Sequence, residues 1–234
     1  MQSLNRGIRT YALRTMRMSE FQKRSLAELS ERYCVAFRPR PYHPAEAFGH
    51  DPVDPPVEDA EFVLEIGFGM GESFVALAEA NPGTNYVGIE VHKPGVGRVL
   101  GELEKREIKN VRIVWHDAIE TVGAMFAPRV FAGVHIFFPD PWPKKRHHKR
   151  RMVQDGFPEF IAPIVKPHGY VYIVTDWAEY AEQILAVFTG SESFANEFGG
   201  FAPPRPWRPE TAFERKARAA GRSVYELFVE RTYA

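Results

Sequence analysis

The stretch EFVLEIGFGMGESFVALAEANP, residues 61–82, limits the available folds more than any other part of the chain. An apolar run of strand length enters a loop with glycines at 67, 69 and 71. A short helix follows and ends near Pro82. Glycines at such a junction let the backbone turn sharply and come close to a ligand. The alternation then continues. NYVGIEV reads as a second strand, residues 94–107 as a helix, and VRIVWHD and VHIFFPD as further strands. Residues 152–165 read as a helix, YVYIVTD as a fifth strand and AEYAEQILAVF as another helix. Residues around 194–201 and VYELFVER suggest a terminal antiparallel pair. The expectation is an α/β, Rossmann-like fold: a mostly parallel seven-stranded sheet with helices on both faces and a terminal antiparallel strand pair.

Ahead of this region, SEFQKRSLAELSERY (19–33) reads as a helix opened by a Ser19–Gln22 capping box. Residues 38–57 are proline-rich and polar, and read as a linker or irregular wrap. The 234 residues therefore divide into a basic extension and linker, 1–57, and a domain carrying the chemistry, 58–234. A single cysteine, Cys34, excludes an intramolecular disulfide framework and gives no support to a Cys-based zinc site. No apolar run approaches the roughly 20 residues that span a bilayer. The basic N-terminus lacks the apolar core of a signal peptide, so a cytoplasmic protein is expected.

The formal net charge of zero hides a segregation. Residues 1–40 carry +6, residues 144–151 carry six Lys/Arg and no acid, and residues 205–222 carry +4, on a remainder of −16. Any one of these segments taken alone reads rather as a solvated face. Three together suit a polyanion.

The loop spacing is G-x-G-x-G. The third position of the dinucleotide pattern falls on Glu72, and Glu65 precedes the loop. An acid there argues against a phosphate ligand and favours a cationic one. S-adenosylmethionine, with an α-ammonium, a sulfonium and no phosphate, meets that requirement. Glu90 ends the second strand, where a carboxylate can accept from both ribose hydroxyls. Asp117 ends the third, placed to take the adenine amine, with Ala118 leaving room for the ring. Each acid alone also reads as a cap or turn former. Three at consecutive strand ends match the crevice where open α/β sheets bind ligands.

FFPDPWPKKRHHKRR, residues 137–151, follows the fourth strand. Pro139 and Pro141 restrict the backbone on both sides of Asp140 and aim its carboxylate. Trp142 offers a face for a base, and the basic run suits phosphates. The alternative is a stiff turn followed by a solvated loop. TDW adds Thr175 and Asp176 to the same edge. In RPETAFERKARAAGR, Thr211 and Glu214 stand among basic residues, a pattern that is also a capping box.

Together, GIEVHKPGVG, FFPDPWPKKRHHKRR, TDWAEY and TAFE, with EIGFGMGES upstream, resemble the bacterial tRNA (guanine-N7-)-methyltransferase family. The resemblance runs from about residue 60 to the C-terminus, and IRTYALRTMRMSEFQ resembles that family's basic lead-in. It implies methyl transfer from S-adenosylmethionine to N7 of a guanine in the tRNA variable loop. It implies that Glu65, Glu90, Asp117 and Asp140 contact the cofactor, with Asp140 at the active site, which adds to the expected cofactor site already holding Gly67, Gly69, Gly71 and Ala118. Lys144, Asp176, Thr211, Ala212, Phe213 and Glu214 would meet the substrate. Arg146, His147, His148, Lys149, Arg150 and Arg151 would touch RNA. The implied partner is tRNA, with no membrane and no obligatory protein partner, in a monomer or homodimer. The chain departs from the family pattern at Lys216-Ala217-Arg218, where members carry more glycine.

Guanine N7 has a free lone pair at neutral pH, so orientation and electrostatics suffice for attack on a methyl group. A fixed carboxylate such as Asp140 can stabilise the cationic ring that forms. A carboxylate such as Asp176 can take both N1–H and the 2-amino group, which adenine cannot offer. Two other readings stand beside this one. An amino-group methyltransferase would use a related proline turn at the same strand end, on nucleic acid or protein. An RNA-binding protein with a vestigial cofactor site would have lost acids that this chain keeps.

Overall fold

Strands β1 (Glu61–Ile66), β2 (Thr84–Ile89), β3 (Val111–Val114), β4 (Phe131–Phe137), β5 (Val165–Thr175), β6 (Phe194–Ala195) and β7 (Tyr225–Arg231) form one sheet. Its order is β3-β2-β1-β4-β5-β7-β6. The strands from β3 through β5 are parallel, and β7 pairs antiparallel with β5 and β6. This is the seven-stranded sheet expected from the sequence. The computed structural model describes residues 8–12, 17–48 and 61–232. The expected boundary at residue 57, and the end of the linker before it, lie outside those residues.

Successive residues of a strand point to opposite faces, so a strand buried on both must be apolar throughout. In β1, Val63 packs with Leu26, Phe74, Leu77, Val99 and Leu103, which belong to α1 (Glu20–Tyr33), α2 (Glu72–Ala80) and α3 (Lys93–Lys105). Its neighbours Leu64 and Ile66 join Val122, Phe157, Ile184 and Phe188 of α4 (Ala118–Ala124), α5 (Phe157–Ile161) and α6 (Ala178–Thr189). The capping box at α1 is present: Gln22 N–H donates to Ser19 Oγ at 3.2 Å and Ser19 N–H to Gln22 Oε1 at 2.8 Å. α1 packs closely on α3. A Cβ at Gly101 would lie 2.2 Å from Phe21 Cζ, and one at Gly97 2.6 Å from Gln22 O.

Two local expectations are corrected, and the alternative of a loop over the basic run is excluded. The helix over 152–165 is a five-residue α5 continued by a 3₁₀ turn, Ala162–Ile164. Gly156 starts it late with φ +81°, and Pro163 removes an N–H that a longer helix would need. The strand around 194–201 is two residues long. The basic run is no loop: Lys145–Arg150 form a 3₁₀ helix. One helix, α4, is not legible in the sequence, because seven residues are too few to show a helical period.

α7 (Ala212–Ala219) is fixed by a buried charge network. Arg208 donates to Glu214 at 2.7 Å and to Glu226 at 2.6 Å, and its Nε reaches the Tyr172 hydroxyl at 3.2 Å. Tyr172 in turn donates to Glu226. Burial alone would push the Glu214 carboxyl up, but the guanidiniums of Arg208 and Arg218 hold it below its ordinary value. Removing the cation from such a network strands the acids. Arg208→Met is expected to cost about 3–5 kcal/mol of unfolding free energy, read by urea titration. The sign with pH follows from the lowered value. Stability from Glu214 is complete above the ordinary carboxyl range and is lost as pH falls through the folded value. Urea midpoints should therefore fall more steeply toward pH 3 in the wild type than in Arg208→Met.

Candidate active site

The strand order reverses between β1 and β4, whose connections leave in opposite directions, so a crevice opens at their C-terminal ends. The glycine loop lies on one side of it. Gly67, Gly69 and Gly71 all have positive φ, at +74°, +58° and +73°. A Cβ on Gly67 or Gly69 would meet nothing within 4 Å, so both present bare backbone to open space. Gly71 is packed instead: its Cβ would lie 2.0 Å from Val99 Cγ2. α3 presses on the loop through Gly95, where a Cβ would lie 1.9 Å from Gly69 O.

Glu90, just past β2, holds the loop. Its carboxylate accepts from Gly69 N–H at 2.7 Å, Val91 N–H at 2.7 Å and His92 N–H at 2.8 Å. Asp117 caps α4, accepting from Glu120 N–H at 2.9 Å, and Ala118 is the first helical residue. Trp115, exposed beside them with Lys93 over its ring, carries no motif that sequence reasoning could have used. Glu65 lies elsewhere than expected. It is 1% exposed, under the loop, with Oε2 3.9 Å from His135 Nδ1. Burial pushes its carboxyl up. In this arrangement it presents almost no surface to a ligand in the crevice.

Across the crevice, the turn carrying Asp140 is strained on both sides, with Phe138 at φ +53° and Trp142 at φ +45°. Two arginines of the basic run hold it. Arg151 is 1% exposed and donates to Pro141 O at 2.8 Å and Gln183 Oε1 at 2.6 Å, over the Tyr180 ring. The expectation that Arg151 touches RNA is thus corrected: its donors point inward and brace the turn. Arg150 lies 3.7 Å over the Trp142 ring and donates to the carbonyls of Arg9 and Tyr11, at 3.0 and 2.8 Å. That covers one face of Trp142, the residue expected to stack on a base. Residues 9–12 are drawn across the turn as well. Trp142 Nε1–H donates to Thr10 O at 3.0 Å, and Ala12 N–H to Asp140 Oδ2 at 3.3 Å.

The remaining cations of the run differ in access. Lys144, Lys145, Arg146 and Lys149 are exposed, whereas His147 and His148 are half-buried, with His148 3.6 Å from Glu179. Asp176 follows β5 and is paired with Arg222. Thr211 caps α7, accepting from Glu214 N–H at 3.1 Å, but the reciprocal half of a capping box is not made: the Glu214 carboxylate turns to Arg208 and Arg218. Glu214 is buried against Arg208 and Arg218. Ala212 N–H donates to Glu72 at 3.0 Å, which ties α7 to the first turn after the glycine loop. Phe213 is 58% exposed and stacks on Phe138, centroids 6.0 Å apart. Of the four residues, it alone offers an open face.

Bare backbone at Gly67 and Gly69, a fixed acid at the second strand end and an aimed acid at the fourth define a Rossmann-like methyltransferase using S-adenosylmethionine. A family model described as "Putative methyltransferase" matches residues 59–227. The tRNA (guanine-N(7)-)-methyltransferase of Thiobacillus denitrificans is 45% identical over 224 residues, covering 96% of this chain and 95% of that protein. Proteins of the same name from Bordetella pertussis and Treponema pallidum are 43% and 41% identical. They cover 96% and 95% of this chain, and 85% and 95% of their own lengths. The chain belongs to the tRNA (guanine-N7-)-methyltransferase family. The solved structure of the 16S rRNA methyltransferase KamB shares the fold, with a TM-score of 0.55 at 13% identity over 96% of this chain and 98% of that one.

The two kinds of loop glycine separate backbone strain from packing. Gly69→Ala carries the left-handed penalty of roughly 1–2 kcal/mol in the folded chain and sets a Cβ in the open space where the cofactor would meet bare backbone, so it is expected to weaken S-adenosylhomocysteine binding. Gly71→Ala also collides with Val99 and should lower the thermal midpoint as well. Calorimetry and thermal unfolding read the two effects.

Proposed function

We propose that this chain transfers a methyl group from S-adenosylmethionine to N7 of a variable-loop guanine in cytoplasmic tRNA. The observation that carries this is the placement of Asp140. It is a carboxylate locked between prolines, across the switch point from the glycine loop, at the head of a basic helix. Relatives similar over nearly the whole chain bear the corresponding name.

Bound S-adenosylmethionine supplies an electrophilic methyl group on its sulfonium. Gly67 and Gly69 let it lie against backbone, Glu90 takes a ribose hydroxyl with the acceptor direction of Oε2 that Gly69 N–H leaves free, and Asp117 and Ala118 border the adenine. The guanine enters beside Asp140 and displaces the Ala12 N–H, so residues 9–12 move aside as tRNA binds. Phe213, backed by Phe138, is the aromatic face available to the base. Asp176 takes N1–H and the 2-amino group, and Lys144 holds the target nucleotide's phosphate. N7 attacks with its own lone pair, so no residue removes a proton first. Asp140 faces the positive charge that spreads into the ring. All these groups come from one chain, so a single chain suffices in this reading.

The decisive experiment is nucleoside analysis of bulk unmodified tRNA after incubation with labelled S-adenosylmethionine. Label in 7-methylguanosine is expected, and label in an exocyclic-amine product would overturn the reading. Asp140→Ala should lower turnover by about two orders of magnitude, the scale of losing one aimed electrostatic group. Its tRNA affinity should stay near that of the wild type.

Phosphate binding is tested separately. Replacing Lys145, Arg146 and Lys149 together by Ala should weaken tRNA binding. It should flatten the log–log salt dependence by roughly 0.7–0.9 for each phosphate no longer neutralised. Arg151→Met should leave that slope unchanged and lower the thermal midpoint. Parallel salt plots for the triple variant and wild type would move the RNA surface away from this helix.

A further inference from the structure

Arg222 lies beyond α7, in a segment whose basic residues otherwise read as an RNA surface, yet its place is set by backbone and by one carboxylate. α7 ends in a Schellman arrangement. Gly221, at φ +68°, donates to Arg218 O at 3.0 Å, and Arg222 N–H donates to Ala217 O at 2.9 Å. β7 begins three residues later, and Tyr225 pairs with Thr175, the residue before Asp176. Arg222 is therefore anchored from both sides and delivered to the end of β5. There Nε and Nη2 both meet Asp176 Oδ2, at 2.9 and 2.8 Å. Asp176 is 23% exposed and Arg222 46%. Both arginine nitrogens thus fall on the same oxygen.

We infer that Arg222 is a positioning residue for base selection: its two-pronged hold on one oxygen fixes the plane of the Asp176 carboxylate and leaves the outer edge to the base. This rests on the reading that Asp176 takes the guanine edge. A carboxylate oxygen has two acceptor directions: Arg222 Nε–H takes one on Oδ2, with Nη2 beside it at ion-pair distance, and the other is left for guanine. Oδ1 takes the second guanine donor. Without Arg222 the side chain turns freely about its terminal torsion. One guanine donor can still be met, but the simultaneous fit to N1–H and the 2-amino group is lost. The planar fork matters here as well as the charge, since a lysine supplies only a point charge.

The test uses tRNA with guanine or inosine at the target position. Inosine keeps N1–H and N7 and lacks the 2-amino group. Wild type should prefer guanine by about tenfold or more in kcat/KM, the scale of one hydrogen bond to a charged group. Arg222→Gln should lower kcat/KM for guanine tRNA by about tenfold and reduce the preference to two- or threefold, with KM and salt slope nearly unchanged. Arg222→Lys should recover only part of the preference. Adding Arg222→Gln to Asp176→Ala should change nothing further, because the two act as a unit. S-adenosylhomocysteine affinity and thermal midpoint serve as controls for folding. An equal loss on both substrates with a flattened salt slope would make Arg222 a phosphate ligand and overturn the inference. Full preference in Arg222→Lys would show that charge alone suffices, and would overturn the two-pronged hold. Retained preference in Asp176→Ala would remove the base-reading role of Asp176 itself, which separates that failure from one confined to Arg222.

Discussion

The crevice exists because β1 and β4 are neighbours whose onward connections leave in opposite directions. Sheet hydrogen bonding keeps these two strand ends in register, Glu65 opposite His135. Whatever follows each strand must then stand on one side of the same gap. After β1 the chain needs left-handed backbone at residues 67, 69 and 71, which glycine adopts at little cost. After β4 it needs a turn stiff enough to aim one carboxylate. The acids at the ends of β2, β3 and β5 fall along the same edge because parallel strands finish together.

That edge is held largely by arginine. Arg151 carries the proline turn from beneath, Arg150 clamps it from outside, and Arg208 gathers Glu214 and Glu226 under α7. Guanidinium groups suit this work because their planar donors satisfy several acceptors at once while their faces lie on aromatic rings. The Arg150–Trp142 and Arg151–Tyr180 pairs show both uses in adjacent residues. A segment rich in cations therefore serves two purposes. Its exposed members remain for phosphates, and its inward members are structural.

Much of this can be read from residue order. Three glycines between a strand and a helix announce a left-handed loop, and Ser19 with Gln22 announces a capped helix. The strand-end acids are visible for the same reason, since strand ends are local features. What escapes depends on residues far apart in the chain. Arg151 looks like its neighbours until Gln183 and Tyr180 of α6 are placed against it. Glu65 reads as facing a ligand because nothing local reveals that His135 will lie opposite. The pairing of Arg222 with Asp176 spans 46 residues and follows only from β7 returning beside β5. The lysine and alanine at 216 and 217, where more glycine was expected, continue the helix almost to Gly221, and that sets the position of Arg222.

The charge segregation has a consequence for how a partner approaches. A molecule with no net charge has no monopole, so at long range it neither draws in a polyanion nor repels it. Its separated positive segments and acidic body still give it a dipole. The hydrogen bonds of Arg150 with residues 9 and 11, and of Arg222 with Asp176, bring parts of all three basic segments to the rim of the crevice. Within a Debye length of about 8 Å at physiological salt, such a dipole exerts a torque. For a polyanion such a torque favours approach by the crevice side over the acidic one. Encounter is thereby selected by orientation, at a distance where no base has yet been touched.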